Sequence, residues 1–123
     1  MDGPNALSFG LVIATVLTLG LPPLPAQAQG QYPERPIRLV VPFAPGGGTD
    51  IMGRRFGAKI TPLLGQQVVI ENKGGAGGTI GTAEVARAKP DGYTLLVGTS
   101  STHAINPSAM ESLPYDPVKD FAP

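Results

Sequence analysis

Cysteine and tryptophan are absent from this sequence of 123 residues, and it contains a single histidine. Without cysteine the chain can form no disulfide bond and can offer no thiolate to a metal ion. Its histidine, aspartate and glutamate residues form no cluster at the spacing of metal ligands. We therefore expect neither a metal nor any other cofactor.

Charge is also scarce, since only 15% of the residues are charged and the formal net charge is zero. A neutral chain gives no electrostatic reason to expect a nucleic acid as partner. The abundant residues are glycine and proline, with 17 and 14 copies. The length allows one domain at most.

An uncharged apolar run, Ala6–Leu21, lies near the amino terminus and is followed by Ala26-Gln27-Ala28. This order predicts a secretory signal peptide over residues 1–28, removed after Ala28, and hence export to the periplasm. A membrane span is the alternative, but it needs about 20 apolar residues and prolines end this run early. The residues before the run include Asp2 and no lysine or arginine, which departs from the usual signal pattern.

The residues after the predicted signal peptide alternate between strand and helix patterns. Pro36–Phe43 is apolar almost throughout, which predicts a strand that is buried on both faces. From Thr49 onward apolar residues recur every three or four positions, which predicts an amphipathic helix that ends near Leu64-Gly65. The predicted core face of this helix consists of Met52, Phe56, Ile60 and Leu63 or Leu64.

The second half of the chain repeats the alternation. A strand, a helix and another strand are predicted over Gln66–Asn72, Thr79–Pro90 and Tyr93–Thr99. We expect Ile80, Ala83 and Ala86 to form the packing face of the helix. Another loop and helix follow, with Asn106 expected as the N-cap and Pro107 as the first helical residue.

Short connections between alternating strands and helices predict an α/β fold with a parallel sheet. The carboxyl ends of parallel strands meet at one edge, so the loops over residues 44–50, 73–79 and 99–106 are expected to gather there. Open α/β sheets bind their ligands at this edge. The sequence therefore predicts a ligand site formed by three loops.

Glycine is concentrated in two of these loops, at Gly46-Gly47-Gly48 and Gly74–Gly78. A helix start leaves about four backbone N–H groups unpaired and carries about half a positive charge. Glycine lets such groups converge on an anion without interference from Cβ atoms. The alternative is that these glycines only allow tight turns between strand and helix.

Nucleotide-binding motifs do not fit the glycine loops. A Walker A loop requires a Gly-Lys pair, and no glycine here is followed by lysine. The dinucleotide fingerprint requires glycine at n, n+2 and n+5. Gly46 and Gly48 are followed by Ile51 instead, and Gly75 and Gly77 by Ile80. Nucleotide binding is therefore disfavoured.

Polar residues near these loops each allow two interpretations. Asp50 is expected as an N-cap or first-turn acid, with ligand binding as the alternative; Thr49 could also be the cap. His103 follows Ser100 and Ser101 too closely for a serine–histidine pair, and no G-x-S-x-G motif is present. Arg54 and its neighbour Arg55 are expected on the solvated face of the helix.

Two tyrosines, Tyr93 and Tyr115, are expected to pack within the fold rather than to recognise a ligand.

Three segments, Tyr32–Arg54, Gly65–Thr99 and His103–Pro123, resemble the Bug family. Its members are TctC-like extracytoplasmic solute receptors of tripartite tricarboxylate transporters. The resemblance extends over Tyr32–Pro123 and implies a parallel-sheet lobe of a two-domain periplasmic-binding-protein fold, the Venus flytrap. Residues 29–123 would then be the N-terminal part of domain 1, truncated within that domain, without domain 2 or the C-terminal return.

The resemblance also implies a function without catalysis. Such a receptor closes on a small organic carboxylate, held by backbone N–H groups and ordered water, and delivers it to membrane subunits of the transporter. A full-length receptor is expected to be a monomer, and the truncated chain is not expected to bind alone. The implied ligand-binding residues are Ala44, Pro45, Gly46, Gly47, Gly48, Thr49, Asp50, Gly75, Ala76, Gly77, Gly78, Thr99, Ser100, Thr102, His103 and Asn106.

An anion-binding α/β enzyme domain, such as a phosphate-ester hydrolase or transferase, is the alternative. It would need a general base or nucleophile at the same edge of the sheet. Only His103 and Asp50 are available for that role.

Overall fold

The computed structural model describes residues 30–123. The predicted signal peptide, residues 1–28, lies outside the described residues. Three parallel strands form one sheet in the order β2-β1-β3. The strands are β1 (Ile37–Val41), β2 (Val68–Asn72) and β3 (Thr94–Leu96).

Three helices connect and follow the strands. Helix α1 covers Gly48–Leu64 and helix α2 covers Thr79–Ala86, directly after a 3₁₀ turn at Ala76–Gly78. A π-helical turn, Ser101–Ile105, leads without interruption into α3, Asn106–Ala109. The predicted order of strands, helices and loops is thus confirmed, although α2 and β3 are shorter than predicted. Among residues 30–123, no helix combines the length and the apolar character that crossing a membrane requires.

The core forms where β1 is covered from both sides. Ile37, Leu39 and Val68 make a buried cluster that Ile60 and Leu64 of α1 contact. Side chains alternate between the faces of a strand, so Arg38 points to the opposite face. There Arg38 hydrogen-bonds Glu84 of α2. The two helices therefore cover opposite faces of the sheet, and β1 is buried on both, as predicted.

The face that α1 turns to the sheet agrees with the predicted one at Ile60 and Leu64 but differs from it nearer the start of the helix. Met52, Phe56 and Leu63 are 65%, 55% and 82% exposed, whereas Gly53 and Gly57 are buried. A Cβ atom at Gly53 would lie 2.9 Å from Val41 Cγ2. For Met52 and Phe56 the prediction was wrong, because close approach of helix and sheet requires small residues at Gly53 and Gly57, which apolar periodicity does not register.

Helix α2 shows the same effect. Ile80 is exposed, and the buried residues of this helix are Thr79, Gly81, Thr82 and Ala83. A Cβ atom at Gly81 would lie 2.6 Å from the carbonyl oxygen of Lys73. Ile80 was predicted on the packing face of α2 but does not lie there. The packing contacts of this helix are made by its backbone and its small side chains instead.

The ends of α1 agree with the predicted chemistry. Gly65 is left-handed (φ 68°), and its N–H donates to Thr61 O at 3.0 Å, as expected for a glycine beyond a helix end. The Thr61 hydroxyl also accepts a hydrogen bond from the N–H of Val68 at 3.2 Å. The end of α1 is thereby connected to the start of β2.

Candidate functional site

The first glycine loop, residues 44–50, connects β1 to α1. Gly46 is left-handed (φ 85°), and the first helical bond runs from Ile51 N to Gly47 O at 3.0 Å. Within the described part of the chain, the preceding amides of Gly47, Gly48 and Thr49 have no acceptor. Exposed N–H groups at a helix start favour an anion. The loop therefore has the geometry that the sequence predicts.

Asp50 lies beneath this loop and is only 3% exposed. Its Oδ2 atom accepts hydrogen bonds from Gly46 N at 2.9 Å and Arg54 Nε at 3.0 Å, and Oδ1 accepts one from Asn72 at 2.9 Å. The bonds from Arg54, Gly46 and Asn72 lower the pKa of this carboxyl to about 2. Asp50 is a first-turn acid, as predicted, but Gly47 occupies the N-cap position.

Asn72 is the last residue of β2 and was not predicted as a site residue. Its side-chain Nδ2 donates to Phe43 O at 3.1 Å as well as to Asp50. Its Oδ1 accepts from Arg54 Nη2 at 3.1 Å. The sequence contains no signal for this role, because Asn72 and Asp50 meet only when the two strands pair.

Arg54 was predicted on the solvated face of α1, and its side chain is 53% exposed. Its guanidinium nevertheless turns back to Asp50 and Asn72. The spacing of four residues between Asp50 and Arg54 places both on one side of the helix. This spacing was the available signal for the ion pair.

The second glycine loop continues into the 3₁₀ turn before α2. Gly75, Gly77 and Gly78 have φ of 130°, 63° and 89°, and Ala76 has φ of 47°. A Cβ atom at Gly74 would lie 3.1 Å from Ala44 N. Consecutive positive φ values and close contact with the first loop both favour glycine here. The first two loops therefore lie side by side, as predicted.

The third loop joins them through Asn106. Its Nδ2 donates to the carbonyl oxygen of Gly77 at 2.9 Å. The prediction that Asn106 is an N-cap is wrong, because the helical turn begins at Ser101 and Asn106 has helical dihedral angles. Thr102 is fully buried, and its hydroxyl bonds to Thr99 and to His103 Nδ1.

His103 packs against the segment that follows β3 and against Phe121. Its ring lies against Gly98 and makes an edge contact with Phe121, at 5.0 Å between ring centroids. These residues line a cavity of about 870 Å³ beside the free edge of β3. The ring of His103 thus borders this cavity, while its Nδ1 atom is bonded to Thr102, another of the predicted site residues.

The remaining predicted residues divide into two groups. The exposed group consists of Ala44, Pro45, Gly46, Gly47, Gly48, Gly75, Ala76, Gly77 and Ser100. The buried group holds the loops in place and consists of Asp50, Gly78, Thr102 and Asn106, while Thr49 and Thr99 are half-buried. Residues 30–123 contain no cluster of side chains suited to a metal ion.

Both tyrosines pack within the fold, as predicted. Tyr115 is buried and its hydroxyl donates to Thr102 O at 2.7 Å. The ring of Tyr93 contacts Tyr32 and Arg35.

Known proteins are similar to this chain in sequence and in fold. A sequence profile described as Tripartite tricarboxylate transporter family receptor, TctC, matches residues 52–123. Protein BugT from Bordetella pertussis is 48% identical over 93 residues, which cover 75% of this chain and 28% of BugT.

Two solved structures extend the comparison. The periplasmic binding protein BugD is 51% identical, with a TM-score of 0.72 over 75% of this chain and 30% of BugD. MatC from Rhodopseudomonas palustris, solved with bound malate, is 47% identical, with a TM-score of 0.72 over 75% of this chain and 31% of MatC. The predicted fold class, a parallel-sheet lobe of a periplasmic binding protein, is confirmed.

The chain spans between 28% and 35% of the length of the curated relatives that it matches.

Proposed function

The chain belongs to the tripartite tricarboxylate transporter receptor family, also called Bug or TctC, and on this premise we propose that it forms part of a receptor for a small organic carboxylate. The family consists of solute receptors and not of enzymes, as predicted. The observation that carries the proposal is the row of amides at Gly47, Gly48 and Thr49, for which residues 30–123 supply no acceptor.

The chemistry of these amides suits a carboxylate. Hydrogen bonds from N–H groups to a charged acceptor are about twice as strong as those to a neutral one, and the helix dipole adds to the attraction. The second glycine loop lies next to the first and exposes Gly75, Ala76 and Gly77. MatC, which shares this fold, was solved with malate. A dicarboxylate of that size is the ligand class that we propose.

The proposal includes an arrangement of the whole receptor. Residues 1–28 act as a signal peptide, and residues 29–123 form the N-terminal part of domain 1. A second domain supplies the opposite wall of the cleft, and ordered water takes part in ligand binding. Closure of the two domains then presents a shape that the membrane subunits recognise. The receptor is a periplasmic monomer, and residues 29–123 alone do not bind the ligand measurably.

The enzyme alternative finds little support in the geometry. The ring of His103 packs against Phe121 and its Nδ1 is bonded to Thr102, and the oxygens of Asp50 are already occupied by Gly46, Arg54 and Asn72. Neither group is placed to abstract a proton from a solute bound at the glycine loops. Turnover of a phosphate ester that is lost in His103→Ala would reverse this conclusion.

A chimeric receptor tests the proposal directly. Residues 32–123 replace the matching part of MatC, and malate binding is measured by calorimetry. We expect binding, and we expect Gly47→Val to weaken it at least about tenfold. The valine side chain would hold the carboxylate away from the amides, and each hydrogen bond to a charged group contributes about 1.5–3 kcal/mol. The variant should fold, because Gly47 is extended and a Cβ atom there would meet only Ala44 O, at 3.8 Å.

The matched control is Ala58→Val, on an exposed turn of the same helix. It adds the same side chain away from the loops and should leave malate affinity within about twofold, because it changes no contact with the ligand. Equal affinity in Gly47→Val and Ala58→Val would contradict the proposed role of the loop.

A further inference from the structure

Both polar atoms of the Asn72 side chain form hydrogen bonds to the first glycine loop and its surroundings or to α1. Its amide nitrogen donates to Phe43 O, just before the loop, and to Asp50 Oδ1. Its amide oxygen accepts from Arg54. The backbone of Asn72 is fixed in turn, because it pairs with Val41 in the sheet. Asn72 is therefore a rigid connection between β2 and the loop.

Asp50 links Asn72 to the loop itself through hydrogen bonds. One carboxylate oxygen faces Asn72, and the other accepts the N–H of Gly46 at 2.9 Å. A buried carboxylate needs such donors, because burial without hydrogen bonds is costly. The Gly46 amide thus points into the protein. The next amides, at Gly47 and Gly48, are left exposed.

We propose that Asn72 is a positioning residue of the carboxylate site: through Asp50 it directs the Gly46 amide inward and fixes the direction of the following amides. The role of these amides in binding rests on the proposed function. The arrangement of the loop does not, and it can be measured without ligand. Gly46 is predicted to bind the ligand, but its N–H then donates to the carboxylate of Asp50 instead.

Two substitutions test the connection. Asn72→Asp removes the donors to Phe43 and Asp50 and places two carboxylates side by side. Asn72→Ser shortens the side chain without adding charge, so it decides the test if Asn72→Asp does not fold. The control is Gln67→Glu, which adds the same charge at an exposed residue just before β2.

Amide hydrogen exchange of the purified chain is the measurement, made by NMR at pH 7 without ligand. In Asn72→Asp or Asn72→Ser we expect exchange at Gly46 to rise about tenfold, the equivalent of about 1.4 kcal/mol. Exchange at the core residues Leu39 and Val40 should rise less. Equal acceleration at Gly46 and in the core, or none at Gly46, would show a merely structural role and overturn the proposal.

The exchanged pair Asp50→Asn with Asn72→Asp provides the rescue. It keeps net charge and volume, restores the bond between positions 50 and 72, and leaves Arg54 an acceptor. Exchange at Gly46 should return to within about threefold of the original chain, since one bond, to Phe43 O, is still missing. Exchange as fast as in Asn72→Asp alone would overturn the proposed route through Asp50.

The MatC chimera separates this inference from the proposed function. Where the chimera binds malate, Asn72→Asp should weaken binding about tenfold, and the exchanged pair should restore most of it. If the chimera does not bind malate, the proposed function fails, and the exchange experiment still decides the position of Gly46. Undiminished malate affinity in Asn72→Asp would overturn the positioning role.

Discussion

The side-chain amide of Asn106 donates a hydrogen bond to the carbonyl oxygen of Gly77 at 2.9 Å. Asn106 is buried in the third loop, and Gly77 has a left-handed backbone in the second. Without this donor the Gly77 carbonyl would lose its link to the helix that follows β3. The bond therefore fixes two of the three loops relative to each other.

Replacement of Asn106 by alanine should destabilise the fold. Loss of a buried hydrogen-bond partner costs about 1–3 kcal/mol, measured as the free energy of unfolding in urea. The control is Ser108→Ala, because its hydroxyl bond to Ala104 O is exposed and such a change costs about 0.5 kcal/mol or less. Equal losses in the two variants would contradict the importance of the Asn106 bond.

Gly81→Ala should destabilise the chain more than a helical Gly→Ala exchange elsewhere. The new Cβ atom would lie 2.6 Å from the carbonyl oxygen of Lys73, and forced displacement of backbone in a packed region costs about 1–3 kcal/mol. Gly48→Ala is the comparison, since no atom lies within 4 Å of its Cβ position. In thermal unfolding, Gly81→Ala should have a lower unfolding temperature than Gly48→Ala. The reverse order would refute the close contact at Gly81.

Stability should fall in acid partly because of Asp50. Its pKa is lowered to about 2, from an ordinary value of 3.8. A carboxyl whose pKa is lower in the folded state contributes stability above the unfolded pKa and loses it as pH falls through the folded one. The loss attributable to Asp50 thus falls between about pH 4 and pH 2.

Thermal unfolding followed by circular dichroism between pH 2 and pH 6 measures this loss. Asp50→Asn, which cannot titrate, should have a lower unfolding temperature at pH 6 and a shallower decline below pH 4. The pKa of Glu71 is also lowered, chiefly by its hydrogen bond to Arg38, so part of the decline should persist. An identical decline with and without Asp50 would contradict the prediction.

The ion pairs of Arg38 should be more important than those at the surface. Arg38 makes two hydrogen bonds to Glu71, at 2.9 and 2.7 Å, and one to Glu84 at 2.8 Å. These bonds keep the pKa of Arg38 above its ordinary value. Glu71→Gln should cost about 1 kcal/mol or more, because a two-point bond to a charged partner is replaced by a weaker one.

Arg35 supplies the comparison for that prediction. Its pair with Asp91 is a single contact of 3.1 Å between more exposed side chains, and exposed pairs contribute about 0.2–1 kcal/mol. Arg35→Gln should therefore cost less than Glu71→Gln in urea unfolding, and the difference should remain in high salt. A larger cost for Arg35→Gln would contradict the ranking.

The order of elements and the gathering of the loops could be predicted from sequence because each depends on local signals. A continuous apolar run is typical of a central strand such as β1, and glycine marks the loop that follows it. The packing face of α1 could not be predicted in this way. Met52 and Phe56 raise the apolar periodicity, whereas contact with the sheet is made through Gly53 and Gly57.

The hydrogen bonds between polar side chains beneath the loops also could not be predicted from sequence patterns. Asn72 and Asp50 are 22 positions apart, and only the pairing of β1 with β2 brings them together. The helix start at Ser101 was missed because Asn106-Pro107 is itself a strong start signal.

The absence of side chains at Gly53 and Gly57 has a consequence for the position of α1. A methyl group at Gly53 would meet Val41 Cγ2 at 2.9 Å, and one at Gly57 would meet Ile70 Cδ1 at 3.1 Å. Either the side chains of Val41 and Ile70 or the helix itself would have to shift to make room, so the two glycines set how closely α1 approaches the sheet. Two positions outside the glycine loops thereby set the height above the sheet of the helix start, where the amides of Gly47 and Gly48 lie.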